Sequence, residues 1–259
     1  MSDRSWGRRD VVTAILIGLA AGLLSGLFGI GGGTIIVPAL VWCGLSQRQA
    51  AATSLAAIVP TSMAAVIPYI LAGRVAWAAA GLLVVGVVCG ARIGAHWLAR
   101  LPERVLRWGF VGFLALVAVS QFLFTPQRDG AIDLSWASGA GLVGLGLVTG
   151  VLAALLGVGG GVVVVPSLSL IFGASDLIAR GTSLLMMLPG AVSGTLKNSK
   201  NQLVDLKAAA LIGLPAIAMT PFGSLLAEAL SARLNTVLFG VYVSALLVRS
   251  VFVALRRPT

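Results

Sequence analysis

Two apolar runs of this chain are each broken in the middle by the same glycine-rich stretch, and the break limits what the chain can fold into. The first reads Leu27-Phe28-Gly29-Ile30-Gly31-Gly32-Gly33-Thr34-Ile35-Ile36-Val37-Pro38. The second reads Leu155-Leu156-Gly157-Val158-Gly159-Gly160-Gly161-Val162-Val163-Val164-Val165-Pro166. Four glycines in five residues propagate a helix badly, because each costs roughly 1 kcal/mol relative to alanine. The flanks are too apolar for a soluble loop. Irregular backbone at membrane depth is tolerated only where protein or a watery cavity covers it.

The composition agrees with a membrane setting. Of 259 residues 58% are hydrophobic and only 10% charged, more apolar surface than a soluble domain of this length can bury. The formal charge of +10 first suggests a nucleic-acid partner. The basic residues sit between apolar segments, however, where cytoplasmic loops of membrane proteins carry them, and no nucleic acid is expected. Cys43 and Cys89 both lie in apolar runs and read as small packing residues, with no metal cluster. Arg4, Arg8 and Arg9 ahead of an apolar run imitate a secretory signal, but the run continues through the break to Leu45 and reads as a retained first span.

The apolar segments are 11–45, 50–72, 76–98, 105–124, 136–172, 178–196, 208–230 and 236–255. Trp42, Trp77, Trp97, Trp108 and Trp136 fall near segment ends, as interfacial anchors do. The repeat extends beyond the glycines. Gly31 to Pro38 matches Gly159 to Pro166 at an offset of 128. Thr53-Ser54-Leu55 matches Thr182-Ser183-Leu184 at 129, as do Pro60 with Pro189, Gly94 with Gly223 and Arg104 with Arg233. The chain therefore divides into a first repeat at 1–125, a polar linker at 126–135 and a second repeat at 136–259.

Residues 11–45 would make one helix about 52 Å long against a hydrocarbon core about 30 Å thick. A full span down to the glycines and a short half-helix back fits better. Such a hairpin gives each repeat an odd number of passes and inverts the second relative to the first. With the amino terminus cytoplasmic, the hairpin places 13 basic residues inside and 4 outside, whereas straight spans give 11 and 6. Arg74, Arg128, Arg180 and Arg233 are the four outside. The positive-inside rule prefers the hairpin. The expected fold is an all-α polytopic membrane protein of two inverted repeats, each a glycine-broken hairpin plus three transmembrane helices, with both termini cytoplasmic.

A half-helix beginning after Gly33 or Gly161 has first amides without intrahelical partners and about half a positive charge from the helix dipole. Inversion brings the two ends together within the membrane, a place suited to a small anion. The plainer alternative is that the glycines only permit close helix packing. The duplicated GxGGGxxxxP motif, the Thr-Ser-Leu after each copy and Gly90-Ala91-Arg92-Ile93-Gly94 together resemble the TauE/SafE family. That family, also called the toluene-sulfonate uptake permease family, comprises sulfite and sulfonate transporters of bacterial membranes. The resemblance covers nearly the whole chain. It implies transport of sulfur-containing anions, such as sulfite or organosulfonates, across the bacterial cytoplasmic membrane. The second half departs from the first: Pro221 stands where Arg92 would be, and Val162 replaces Thr34.

The expected substrate-binding set is Gly31, Gly32, Gly33, Thr34, Pro38, Thr53 and Ser54, with Gly159, Gly160, Gly161, Val162, Pro166, Thr182 and Ser183 from the second repeat, and Arg92. The four hydroxyls of the Thr-Ser pairs are placed either to donate to sulfonate oxygens or to bond backbone carbonyls. Arg92 is the basic residue set well inside an apolar run, four before the sole histidine, so Arg92 and His96 share a helix face. It serves either as an anion-holding charge or as a structural tie to backbone carbonyls. With Asp10, Glu103, Asp205 and Glu228 all near segment ends, His96 is the candidate proton site if protons are co-transported. No catalytic residue, cofactor or metal is expected, and no Walker loop for ATP is present. The rivals to a secondary transporter are an anion channel, a lipid-acting membrane enzyme, for which a nucleophile–base pair or metal ligands are wanting, and a passive membrane subunit.

Overall fold

The computed structural model describes residues 7–123, 130, 132–133 and 135–256. Among the described residues the chain is all-helical. In order the helices are α1 (Arg8–Phe28), α2 (Gly33–Trp42), α3 (Gln47–Leu71), α4 (Trp77–Leu98), α5 (Glu103–Leu123), α6 (Trp136–Leu156), α7 (Gly161–Leu170), α8 (Asp176–Lys200), α9 (Leu206–Ala229) and α10 (Ala232–Arg256). Seven of them, α1, α3, α4, α6, α8, α9 and α10, are long and apolar enough to cross a membrane. The protein is a multi-pass helical membrane protein. Of the linker expected at 126–135 only residues 130, 132, 133 and 135 are described; Arg4, Arg128 and Arg257 also lie outside the described residues.

The long run at 11–45 is broken as its length demanded. α1 stops at Gly29, whose φ of 70° is left-handed and whose amide turns back to the Ser25 carbonyl at 2.9 Å. α2 begins after Gly32, with φ of 73°. The second copy repeats the geometry at Gly157 (φ 70°) and Gly160 (φ 91°). These are conformations that a side chain with a Cβ resists, so the break is written into the residue type. The half-helices α2 and α7 have 10 residues each, about 15 Å, which is half the depth of the hydrocarbon core. Polar caps then set where the spans begin. The Ser46 side chain accepts from the Gln49 amide at 3.2 Å, Ser175 from Ile178 at 3.3 Å and Asp205 from Ala208 at 3.0 Å.

Helix pairing follows the repeat. α1 lies along α9 and α6 lies along α4; α3 packs on α9 and α8 packs on α4; α3 meets α8 and α5 meets α10. Exchanging the halves at the sequence offset turns the first four pairings into one another and returns α3–α8 and α5–α10 to themselves. The residues agree. Gly18 and Gly22 of α1 lie against the carbonyls of Ile212 and Ala216, and Gly146 and Gly150 of α6 lie against those of Leu83 and Val87. Lacking side chains, these positions let helices touch through their backbones. That is how helices associate where lipid removes the hydrophobic drive.

Candidate functional site

The two breaks meet in the interior. Gly33 packs against the Gly157 carbonyl and Val158, and Gly161 packs against the Gly29 carbonyl and Ile30. The serines of the Thr-Ser pairs tie this crossing together from the opposite repeat. The Ser54 hydroxyl donates to the Gly157 carbonyl at 2.7 Å, and the Ser183 hydroxyl donates to the Gly29 carbonyl at 3.2 Å. The threonines act in the same reciprocal way. Thr53 Oγ1 accepts from the Asp205 amide, and Thr182 Oγ1 accepts from the Ala76 amide, each at 3.0 Å. In this arrangement all four hydroxyls bond backbone, and they fasten one repeat to the other.

What the crossing leaves unsatisfied bears on a ligand. The Gly32 carbonyl accepts from Ile35 and Ile36, and the Gly160 carbonyl from Val163 and Val164. The amides of Gly33, Thr34, Gly161 and Val162 donate to no acceptor among the described residues, although all four residues are buried. A buried N–H without an acceptor is rare and costs about 1–3 kcal/mol. A hydroxyl is orphaned beside them. Thr149 of α6 packs its methyl against Gly160, is fully buried, and its Oγ1 has no partner. Its repeat equivalent is Ala21, which packs against Gly32.

One charge sits at the crossing, and it is not Arg92. Arg180, in the second turn of α8, is only 5% exposed. Its guanidinium donates to the Leu27 carbonyl and lies 3.7 Å from the carboxylate of Asp176, while its buried Nε has no partner. It packs against Gly29, at the start of the first break. Arg180, which the charge count sets among the outside residues, is thus a buried residue of α8. α8 starts earlier than the apolar run suggests, at Asp176, and the Arg–Asp pair lets both charges enter the protein. Its equivalent in the first repeat is Ala51.

Between the breaks the space is filled. The Met187 methyl lies against both Gly31 and Gly159, with Ile58, its repeat equivalent, beside it. A cavity of about 420 Å³ lies between α2, α5 and α10. Val37, Pro38 and Phe110 line it, with Arg107 and Arg249 among its polar groups. The repeat-equivalent place, lined by Val165, Pro166 and Phe239, holds only about 20 Å³ and includes Arg180 and Gly161. Phe239 there closes on Phe28 at 5.1 Å between ring centroids, and Tyr242 on Phe28 at 5.9 Å.

The other expected residues fall into two groups. Thr34 joins the crossing to α10 through a 2.7 Å hydrogen bond with the Tyr242 hydroxyl. Pro38 and Pro166 line the two unequal cavities. Arg92 and His96 are not brought to the breaks. They are exposed on the outer flank of α4 and share a groove with Lys197 and Lys200 of α8. Thr149 and Arg180 were missed by sequence reading. Their signal was available as polar residues standing where the other repeat has alanine.

Comparison with known proteins identifies the lineage. The family model described as sulfite exporter TauE/SafE matches residues 2–120 and 142–259. The probable membrane transporter protein YunE of Bacillus subtilis (strain 168) is 24% identical over 252 residues, covering 87% of this chain and 90% of its own length. The probable membrane transporter protein YdhB of the same organism is 36% identical over 95 residues, covering 36% of this chain and 39% of its own. A probable membrane transporter protein of Haemophilus influenzae (strain ATCC 51907 / DSM 11121 / KW20 / Rd) is 28% identical over 167 residues, covering 61% and 62%. No solved structure matches. By a match that runs through both repeats and both glycine breaks, this chain belongs to the TauE/SafE sulfite exporter family.

Proposed function

We propose that this protein is a secondary transporter of small sulfur-containing anions, sulfite or organosulfonates, in a bacterial cytoplasmic membrane. The anion is held at the crossing of the two breaks, against the amino ends of α2 and α7. The observation that carries this reading is the set of four buried, unpartnered amides at that crossing. Two helix amino ends supply about half a positive charge each, and the neighbouring guanidinium of Arg180, paired with Asp176, lies beside them. The pocket amides of Gly33, Thr34, Gly161 and Val162 donate to the sulfonate oxygens, the Thr149 hydroxyl adds a donor, and Met187 moves aside to admit the ligand. Methionine suits that part, since its unbranched chain changes rotamer cheaply.

The repeats are inverted and both termini are cytoplasmic, the arrangement favoured by the charge count. Transport is then an exchange between the two unequal cavities: the one at α2, α5 and α10 closes as its equivalent at α7 opens. In this reading the larger cavity, lined by Pro38 and Arg249, and the smaller one, lined by Phe28, Phe239 and Arg180, are the two approaches to the crossing.

The test uses the purified protein in lipid vesicles. Sulfite, sulfate, thiosulfate and organosulfonates are screened for binding, and the tightest is offered in labelled form with and without an ion gradient. Accumulation above the equilibrium distribution is the expected result. Rapid flux that never exceeds equilibrium under any gradient would make the protein a channel and refute alternating access.

A further inference from the structure

The groove holding Arg92 is a site of a different kind from the crossing. It runs between α4 and α8 and has a volume of about 510 Å³. Arg92 and His96, four apart on α4, face Lys197 and Lys200, three apart on α8. The remaining wall is apolar apart from Ser193, whose hydroxyl is already donated to the Val88 carbonyl at 3.1 Å. None of the four basic side chains has a carboxylate within 4 Å among the described residues. Three fixed positive charges are thus gathered, with no carboxylate beside them, near the carboxyl ends of two membrane helices: Lys197 and Lys200 in the last turn of α8, and Arg92 in the turn before the last of α4. Basic side chains clustered in this way repel one another and attract anionic groups.

The repeat shows that the fold does not need these charges. The equivalents of Arg92, Ile93 and His96 are Pro221, Phe222 and Leu225. Those of Leu196, Lys197 and Lys200 are Ile67, Pro68 and Leu71. The same helix junction in the other half is therefore wholly apolar, and it faces outward too, with Phe222 61% and Leu71 82% exposed. A purely structural role for the basic side chains would call for polar groups in both junctions. The basic groove is also flanked by apolar side chains on the same outer surface, Leu196 at 62% exposure and Trp97 at 49%. In a bilayer those side chains meet acyl chains, while the charges sit at headgroup depth, where tryptophan commonly marks the interface.

From this pairing of an uncompensated basic groove with a lipid-facing apolar rim, we infer that Arg92, His96, Lys197 and Lys200 bind the phosphate headgroup of an anionic phospholipid. Arg92 contributes a planar fork that grips two phosphate oxygens, the lysines contribute point charges, and the acyl chains lie over Leu196 and Trp97. The site is independent of the transported anion, so it stands or falls separately from the transport reading.

The experiment measures lipid carried by the full-length protein, by native mass spectrometry after exchange between phosphatidylglycerol and phosphatidylcholine nanodiscs. Wild-type protein should retain phosphatidylglycerol in preference to phosphatidylcholine. The triple variant R92Q/K197Q/K200Q should lose at least tenfold of that preference, and Arg92→Lys should keep only part of it. A triple variant at basic residues outside the groove, R8Q/R9Q/R100Q, should behave as wild type. Monodispersity and helical circular dichroism establish that each variant folds; should the groove triple variant not fold, K197Q/K200Q is read instead and should lose most of the preference. Equal lipid retention by wild type and the groove variant would overturn the proposal. So would groove-dependent binding of inorganic phosphate to lipid-free protein with no lipid preference, which would assign the groove to a free anion.

Discussion

Adding one methyl group to either break is a sharp test of the crossing. A Cβ at Gly33 would stand 2.7 Å from Val158 Cα and 2.9 Å from Ile58 Cδ1. At Gly161 it would stand 2.8 Å from Ile30 Cα and 3.0 Å from Ser183 Oγ. Carbon atoms in contact prefer about 3.5–4.0 Å, so Gly33→Ala must part the two breaks by roughly 1 Å. The obstacle is backbone from the other repeat, which cannot swing away as a side-chain tip can. Overpacking of this kind costs about 1–3 kcal/mol. Where it separates amides that must converge on one anion, the cost falls on binding. At about 1.4 kcal/mol per tenfold, affinity should drop roughly 5- to 150-fold. Gly112→Ala is the control, because a Cβ there meets nothing within 4 Å. Isothermal titration of the purified variants with the anion found in the screen reads the result directly. If Gly33→Ala and Gly161→Ala bind as tightly as Gly112→Ala, the anion does not sit at the crossing and the reasoning fails.

Four further outcomes follow from the same geometry. Gly32→Val and Gly160→Val should abolish anion binding in that titration, since their φ values of 73° and 91° exclude a β-branched residue; alanine there should also weaken binding, by about 1–2 kcal/mol. Arg180→Gln should lower vesicle uptake more than tenfold and Arg180→Lys should restore part of it, while pairing Arg180→Gln with Asp176→Asn should recover thermal stability but not uptake. Thr149→Val should weaken binding about threefold to tenfold by titration and leave the melting temperature unchanged, because the hydroxyl has no protein partner to lose. Cysteines placed at Arg104 and Asp133 should label from opposite faces of the membrane with an impermeant maleimide; labelling of both from one face would rule out the inverted arrangement.

The helices and the break were legible because membrane depth makes them obligatory. An apolar run of 35 residues can be neither one span nor a loop, and glycine at 29–33 says where it must turn. The expectation that the two breaks share one region rested on inversion, and no contact was predicted for it. The use of the hydroxyls was not. A Thr-Ser pair in a greasy helix bonds a ligand or a carbonyl equally well, and only coordinates show Ser54 on Gly157 and Ser183 on Gly29. Arg92 drew attention because it interrupts an apolar run, yet a one-dimensional run does not say which face of α4 looks into the bundle. Arg180 was passed over for the complementary reason. It sits near a segment end, where basic residues are ordinarily solvated, and its burial depends on Asp176 one turn earlier and on the Leu27 carbonyl from another helix. Comparing the repeats position by position would have exposed both Arg180 against Ala51 and Thr149 against Ala21.

The inequality of the repeats has its own physical logic. The parts that make the crossing are duplicated: the left-handed glycines, the Ser-to-carbonyl ties and the Thr-to-amide ties all occur twice. The parts that would discriminate a ligand occur once. Arg180 and Thr149 stand opposite alanines, and the Thr34–Tyr242 hydrogen bond has Val162 and Phe113 as its equivalents. Two helix amino ends already offer about one positive charge between them as partial charges spread over amides. Arg180 adds a charge that its pair with Asp176 offsets, so the total stays near that of a monovalent anion. A second arginine at position 51 would exceed it and hold the anion too firmly for release, since a conducting or carrying site must bind weakly enough to let go. On this argument the duplicated backbone lets the same crossing be reached from either side. In the proposed function the single arginine keeps the affinity within the range that turnover requires.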